Sequence, residues 1–202
     1  GVQVVPNKDI GWDYIHGQYT QEMLLGAEYE IAPDTSIGVK GIYRSLEDVI
    51  EDISLDGGVT YILTNPEGFH GIDEVTGKPL VFPKPERKYR ALEVSLKKKF
   101  SHNYQFYLSY ILSENKGNHG GLFRQDNQQL DPNITSAWDL PSLLFDEKGK
   151  QVAYGLLNND RTHQFKFYGS YHMPSGFLKG LVLGTAGAVM SGIPISKLGE
   201  HI

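Results

Sequence analysis

Cysteine is absent from this sequence, and that removes disulfide frameworks, zinc fingers and thiol nucleophiles together. It also has no run of about 18 apolar residues, so it encodes no transmembrane helix. The longest apolar-leaning stretch, Gly176 to Met190, is broken by Lys179 and by glycines. The charge balance is mildly acidic. The 19 Lys and Arg against 24 Asp and Glu give a formal net charge of -5, so nucleic acid is not expected as a partner. The densest basic run, Lys97-Lys98-Lys99, is too short for a polybasic patch. No G-x-S-x-G, H-E-x-x-H, P-loop or G-x-G-x-x-G motif occurs, so neither a catalytic site nor a cofactor is expected. The seven histidines (16, 70, 102, 119, 163, 172 and 201) are scattered and read as isolated polar or interfacial residues. Gly1 opens the chain, and the residues after it do not read as a signal peptide.

Glycine and aromatic residues are abundant: 23 Gly, 12 Tyr and 9 Phe, with little helical periodicity. That composition predicts an all-β protein with long loops. Six segments alternate apolar and polar residues and fall into three hairpins. In the first, Met23, Leu25, Ala27, Tyr29 and Ile31 share a face opposite Glu22, Gly26, Glu28 and Glu30. A turn at Pro33-Asp34-Thr35-Ser36 leads to Ile37, Val39, Gly41 and Tyr43, with Lys40 and Arg44 on the polar face. Acidic residues on one strand and basic ones on the next are placed to pair across it. In the second, Leu92, Val94, Leu96 and Phe100 return through Ser101-His102-Asn103 to Tyr104, Phe106, Leu108, Tyr110 and Leu112, and only Lys98 breaks the apolar face. The third sets His163, Phe165, Phe167, Tyr171 and Met173 against Gln164, Lys166, Tyr168, Ser170 and His172. It turns at Pro174-Ser175-Gly176 into a strand over Leu178 to Met190, rich in Gly and Ala on both faces and without a legible orientation.

Connections within hairpins are short, whereas those between them run from about 46 to 88 and from about 114 to 162. Short turns at one rim and long loops at the other, on strands of about ten residues, describe a stretch of antiparallel transmembrane β-barrel. Aromatic residues near strand ends (Tyr29, Tyr43, Phe100, Tyr104, Tyr171, Phe177) suit the interfacial girdles of such a barrel. A soluble β-sandwich shares the alternation, and there the same aromatic residues would be core.

The runs that carry a family resemblance are long and in order. Arg90-Ala91-Leu92-Glu93, the stretch YQFYLSYILSENKGNHGGLF, the segment Asp126 to Leu144 and the segment Gly155 to Tyr171 resemble TonB-dependent outer-membrane receptors of the Oar-like type. So does the upstream run QEMLLGAEYEIAPDTSIGVKGIYRSLEDVIEDI. The likeness covers nearly the whole chain and is weakest over Gly1 to Ile10. It implies a barrel of 22 strands in the outer membrane of a Gram-negative type bacterium, facing outer-membrane lipid. It also implies a plug inside the barrel and a TonB box that contacts the TonB-ExbB-ExbD complex. Six strands are fewer than a closed barrel of this class needs, about eight at minimum, so the chain is expected to be a barrel fragment without the plug and N-terminal domains. The function implied is import of an extracellular ligand. The alternative is a surface or adhesion protein that uses the barrel only as an anchor.

Ligand-contacting residues are expected on the long loops, where a rigid scaffold presents them. Phe123, Arg124, Gln128, Gln129, Trp138 and Phe145 are the candidates, and packing of the loops on one another is the competing role for the same side chains. Asn159-Asp160-Arg161 closes the second loop, and an Asp160–Arg161 pair would pin its base to the rim. Asp126, Asp131 and Asp139, with Asn127 and Asn133, offer oxygen ligands of the kind calcium takes. They lack the EF-hand register, and Asx-turns account for them, so no metal is assigned.

Overall fold

In a computed structural model the chain is described over residues 15–74, 76–121, 136–146 and 148–195. It is all-β. The strands are β1 (Tyr19–Ala32), β2 (Thr35–Glu47), β3 (Glu51–Ile53), β4 (Ile62–Thr64), β5 (His70–Ile72), β6 (Pro79–Val81), β7 (Arg87–Ser101), β8 (Tyr104–Gly117), β9 (Gly155–Leu156), β10 (His163–His172) and β11 (Val182–Met190). A four-residue helical turn, α1 (Ser136–Asp139), and a 3-10 turn over Pro141–Leu144 lie between β8 and β9. No helix among the described residues is long and apolar enough to cross a membrane, which leaves crossing by strands untouched.

The six long strands form one antiparallel sheet in the order β1-β2-β7-β8-β10-β11, with β9 paired to β8. Neighbours in sequence are neighbours in space because hairpin turns or chain returns join them. Among the described residues the sheet does not close on itself. The turn between β7 and β8 is His102-Asn103, both with positive φ (50° and 66°). This is the two-residue geometry whose twist matches that of the strands it joins. Between β1 and β2, Pro33 and then Asp34 (φ 60°) reverse the chain.

The third hairpin departs from expectation. Its turn is not confined to Pro174-Ser175-Gly176, and its second strand begins at Val182 rather than Leu178. Gly176 and Gly180 both take positive φ, and Met173 N–H donates to Leu181 O at 2.9 Å, so the residues between fold into a longer turn. Pairing with β10 also settles the orientation of β11: Leu183, Thr185, Gly187 and Val189 stand opposite Tyr171, Gly169, Phe167 and Phe165.

The register lines up apolar side chains across the whole sheet. One row runs Ala27, Val39, Val94, Tyr110, Phe165, Val189. The row one pair nearer the turns runs Tyr29, Ile37, Leu96, Leu108, Phe167, Gly187. Among the described residues nothing covers this face. Leu25 is 80% exposed and Val189 67%, where a soluble sandwich would bury such residues against a second sheet.

The opposite face is polar and cross-linked. Arg44 pairs with Glu22, as the acidic-then-basic pattern of the first hairpin predicts. Lys40 Nζ meets Glu93 at 2.8 Å, and Tyr107 Oη donates to the same carboxylate at 3.2 Å. Lys98, which interrupts the apolar row near the turns, is buried at the turn end, where it bonds Ser101 and stands 3.8 Å from Asp34 Oδ2. Its long stem lets the ammonium leave the apolar face at the rim.

Candidate functional site

The two long connections carry secondary structure of their own. They fold together at the loop end of the sheet. The first, after β2, forms two small hairpins, β3–β4 and β5–β6. The second lays α1 and the 3-10 turn against them. Ile53, Phe82, Trp138 and Leu144 make a core with exposures of 1% or less, edged by Leu55, Ile62, Phe69, Phe145 and Ala153. Phe82 and Trp138 stack with ring centroids 6.4 Å apart. Backbone bonds tie the connections as well: Ser54 N–H donates to Asp139 O at 2.7 Å.

Asn118, just past β8, is the chief polar tie. Its Oδ1 accepts from Glu86 N–H at 2.6 Å, its Nδ2 donates to Lys84 O at 2.9 Å, and its carbonyl accepts from the Trp138 indole at 3.1 Å. Gly117 before it has no room for a side chain, since a Cβ there would meet Glu86 O at 1.9 Å.

Trp138 thus lies inside the loop body at 0% exposure and offers no surface to a ligand. Its indole N–H already has a partner, and its ring stacks on Phe82 within this core. Phe145 is partly buried at the edge of the same core. Phe123, Arg124, Gln128 and Gln129 lie outside the described residues, as do Asp126, Asn127, Asp131 and Asn133.

Asp160 and Arg161 do not pair with each other among the described contacts; they reach in opposite directions. The buried Asp160 carboxylate accepts from Asn115 N–H of β8 at 2.6 Å and from the Thr162 hydroxyl at 2.9 Å. Arg161 Nη1 donates to Ser191 O, just past β11, at 2.8 Å. Leu157 N–H donates to Asn115 O at 2.9 Å, and Ser113 binds the Arg161 carbonyl through its hydroxyl, so the base of the second connection is bonded along β8.

A polar group that the sequence does not reveal sits beside the loop core. Glu51, Asp52, His119 and Asp139 come from three separate segments. Glu51 and His119 are buried (0% and 1% exposed), with Glu51 Oε1 3.1 Å from His119 Nδ1. His119 is therefore not one of the isolated polar or interfacial histidines that the sequence predicts. Burial, then the charges of Asp52 and Glu51, push the Asp139 carboxyl up to about 6. Burial also raises Asp52, with Glu51 adding to it. Asp56 goes the other way, to about 2, because the Thr60 side chain and amide bond its carboxylate. No group of His, Asp and Glu among the described residues has the arrangement of a metal site.

Comparison with known proteins places this architecture. Over 188 residues, 93% of the chain, the sequence is 37% identical to a TonB-dependent transporter, Oar, of Myxococcus xanthus. The chain spans 16% of that protein's length. No family model and no solved structure matches.

Proposed function

Taking as premise that this chain is an Oar-like segment of TonB-dependent receptor sequence, we propose that its sheet is a stretch of outer-membrane barrel wall and that its folded loops face outward. The observation that carries this reading is the uncovered apolar face, continuous over six strands, backed by a polar face held by ion pairs. Lipid covers the first in a barrel, and the lumen solvates the second. Each strand pairs with its neighbour, so backbone groups inside the layer are satisfied.

In the whole receptor, capture of an extracellular ligand and its passage inward with energy from TonB are the activity this segment serves. Its share is to hold the wall and to present the loop surface. Phe123, Arg124, Gln128, Gln129 and Phe145 are the side chains we assign to ligand contact, with Trp138 bracing the loop core. Loops presented on a rigid scaffold are where binding residues concentrate.

Labelling of intact cells tests the topology. Cysteines replace Val152 in the loop body and Ser175 at the turn end of the full-length receptor. A membrane-impermeant maleimide is expected to label Val152→Cys on intact cells and Ser175→Cys only after the outer membrane is breached. The reverse pattern would invert the assignment, and equal labelling of both would remove the wall from the membrane.

A further inference from the structure

Three carboxylates and one imidazole meet where the two long connections join. Glu51 and Asp52 come from β3, Asp139 from α1 and His119 from the segment after β8. One oxygen each of Asp52 and Asp139 is closed off from water and accepts no hydrogen bond among the described residues. The two nitrogens of the His119 ring are closed off as well, with Glu51 Oε1 3.1 Å from Nδ1. The Tyr61 phenol, just before β4, stands in the field of Asp139 and Asp52.

Like charges repel far more strongly in such a place than on an open surface. A buried carboxylate without donors is best relieved by taking a proton. Asp139 and Asp52 both show it, since burial is the first cause that raises each and neighbouring carboxylates are the next.

The position of the group gives it leverage. Trp138 immediately precedes Asp139 and fills the loop core against Phe82. The Asp139 carbonyl takes the Ser54 N–H at 2.7 Å. Repulsion between Asp139 and β3 therefore acts on the same short turn that carries the central side chain of the core.

We infer that the loop body is an acid-tightened clasp: a proton held between the buried carboxylates of α1 and β3 keeps the second connection on the first, and its loss lets α1 come away with Trp138 and open the core. This goes beyond the proposed function, because it concerns how firmly the loops close and holds whichever way the barrel is oriented. Between the ordinary value of 3.8 and about 6 the closed body binds a proton that the open one releases, so opening grows as pH rises through that window. On those two values the opening equilibrium shifts about ten-fold between pH 5 and pH 7.5.

The labelling rate of a thiol inside the core tests this in full-length receptor. Ile53→Cys puts the thiol at a fully buried position of β3, so a maleimide reaches it only when the core opens. Rates are read on the peptide that contains residue 53 and divided by those of the same chain in denaturant, which removes the thiol's own pH dependence. The corrected rate is expected to rise about ten-fold from pH 5 to pH 7.5. Adding Asp139→Asn, which mimics the protonated acid, is expected to bring that ratio close to one, and Asp52→Asn to reduce it. Glu67→Gln, which removes an exposed charge of the same connection, is expected to leave it unchanged. Hydrogen exchange of residues 136–144 in receptor without the thiol reads the same ratio, should the Cys variant fail to fold. A corrected rate that does not change with pH, or a ratio that survives Asp139→Asn, would overturn the clasp.

Discussion

At Asp139 burial and neighbouring carboxylates act together, and the consequence is a stability that depends on pH. Its carboxyl sits at about 6 in the folded loops against 3.8 in the free residue. Between those values the folded state binds the extra proton, so docking of α1 onto β3 is strongest below about pH 4 and weakens as pH rises through 6. Hydrogen exchange at Ser54 N–H, which donates to the Asp139 carbonyl, reads this directly. Protection, corrected for the intrinsic rate, is expected to fall from pH 5 to pH 7.5, and Asp139→Asn is expected to flatten the profile. Truncating Trp138 to Ala empties the centre of the loop core and is expected to cost about 3–5 kcal/mol of loop stability. Proteolysis of the loops at unchanged strand content checks that. Asp160→Ala leaves the buried Asn115 amide without its acceptor, at about 1–3 kcal/mol. It should loosen the loop base while sparing the hairpin turns, which the same exchange experiment resolves.

Within a strand, adjacent residues face different surroundings, and a charge tells them apart. Val94 lies in the apolar row between Val39 and Tyr110, and Ser95 in the polar row between Gly38 and Ser109. Val94→Arg is expected to cost about 2–4 kcal/mol in lipid and Ser95→Arg much less; equal folding midpoints in urea would contradict the facing. This alternation is why the first five long strands were legible from sequence. A period of two over ten or more residues is hard to imitate, and the ion pairing of Glu22 with Arg44 followed from it. The three-residue strands β3 to β6 were not legible, because three residues cannot display a period. Nor was the loop core: Ile53, Phe82, Trp138 and Leu144 are far apart in sequence and meet only through tertiary folding. Orientation of β11 was hidden for another reason. Gly184, Ala186 and Ala188 are as small as the residues between them, so only pairing with β10 reveals which face is which. Placement of His119 beside Glu51 likewise depends on a chain reversal that local spacing does not encode.

On the scale of the whole molecule, the sheet ends at β1 and β11, each with one neighbour among the described residues. An exposed strand edge pairs with whatever strand it meets. Expressed by itself in detergent, the chain is expected to form oligomers or aggregates, measured by light scattering, rather than a heat-modifiable monomer. In full-length receptor, those edges are expected to pair with adjoining strands.

The shared core of the two long connections bears on how the folded chain is recognised by antibodies. Because β3 to β6 are braced by α1, which carries Trp138, from the other connection, the surface of the loop body is a discontinuous epitope. Sera raised against the folded body are expected to lose binding on Trp138→Ala even though that side chain never reaches the surface.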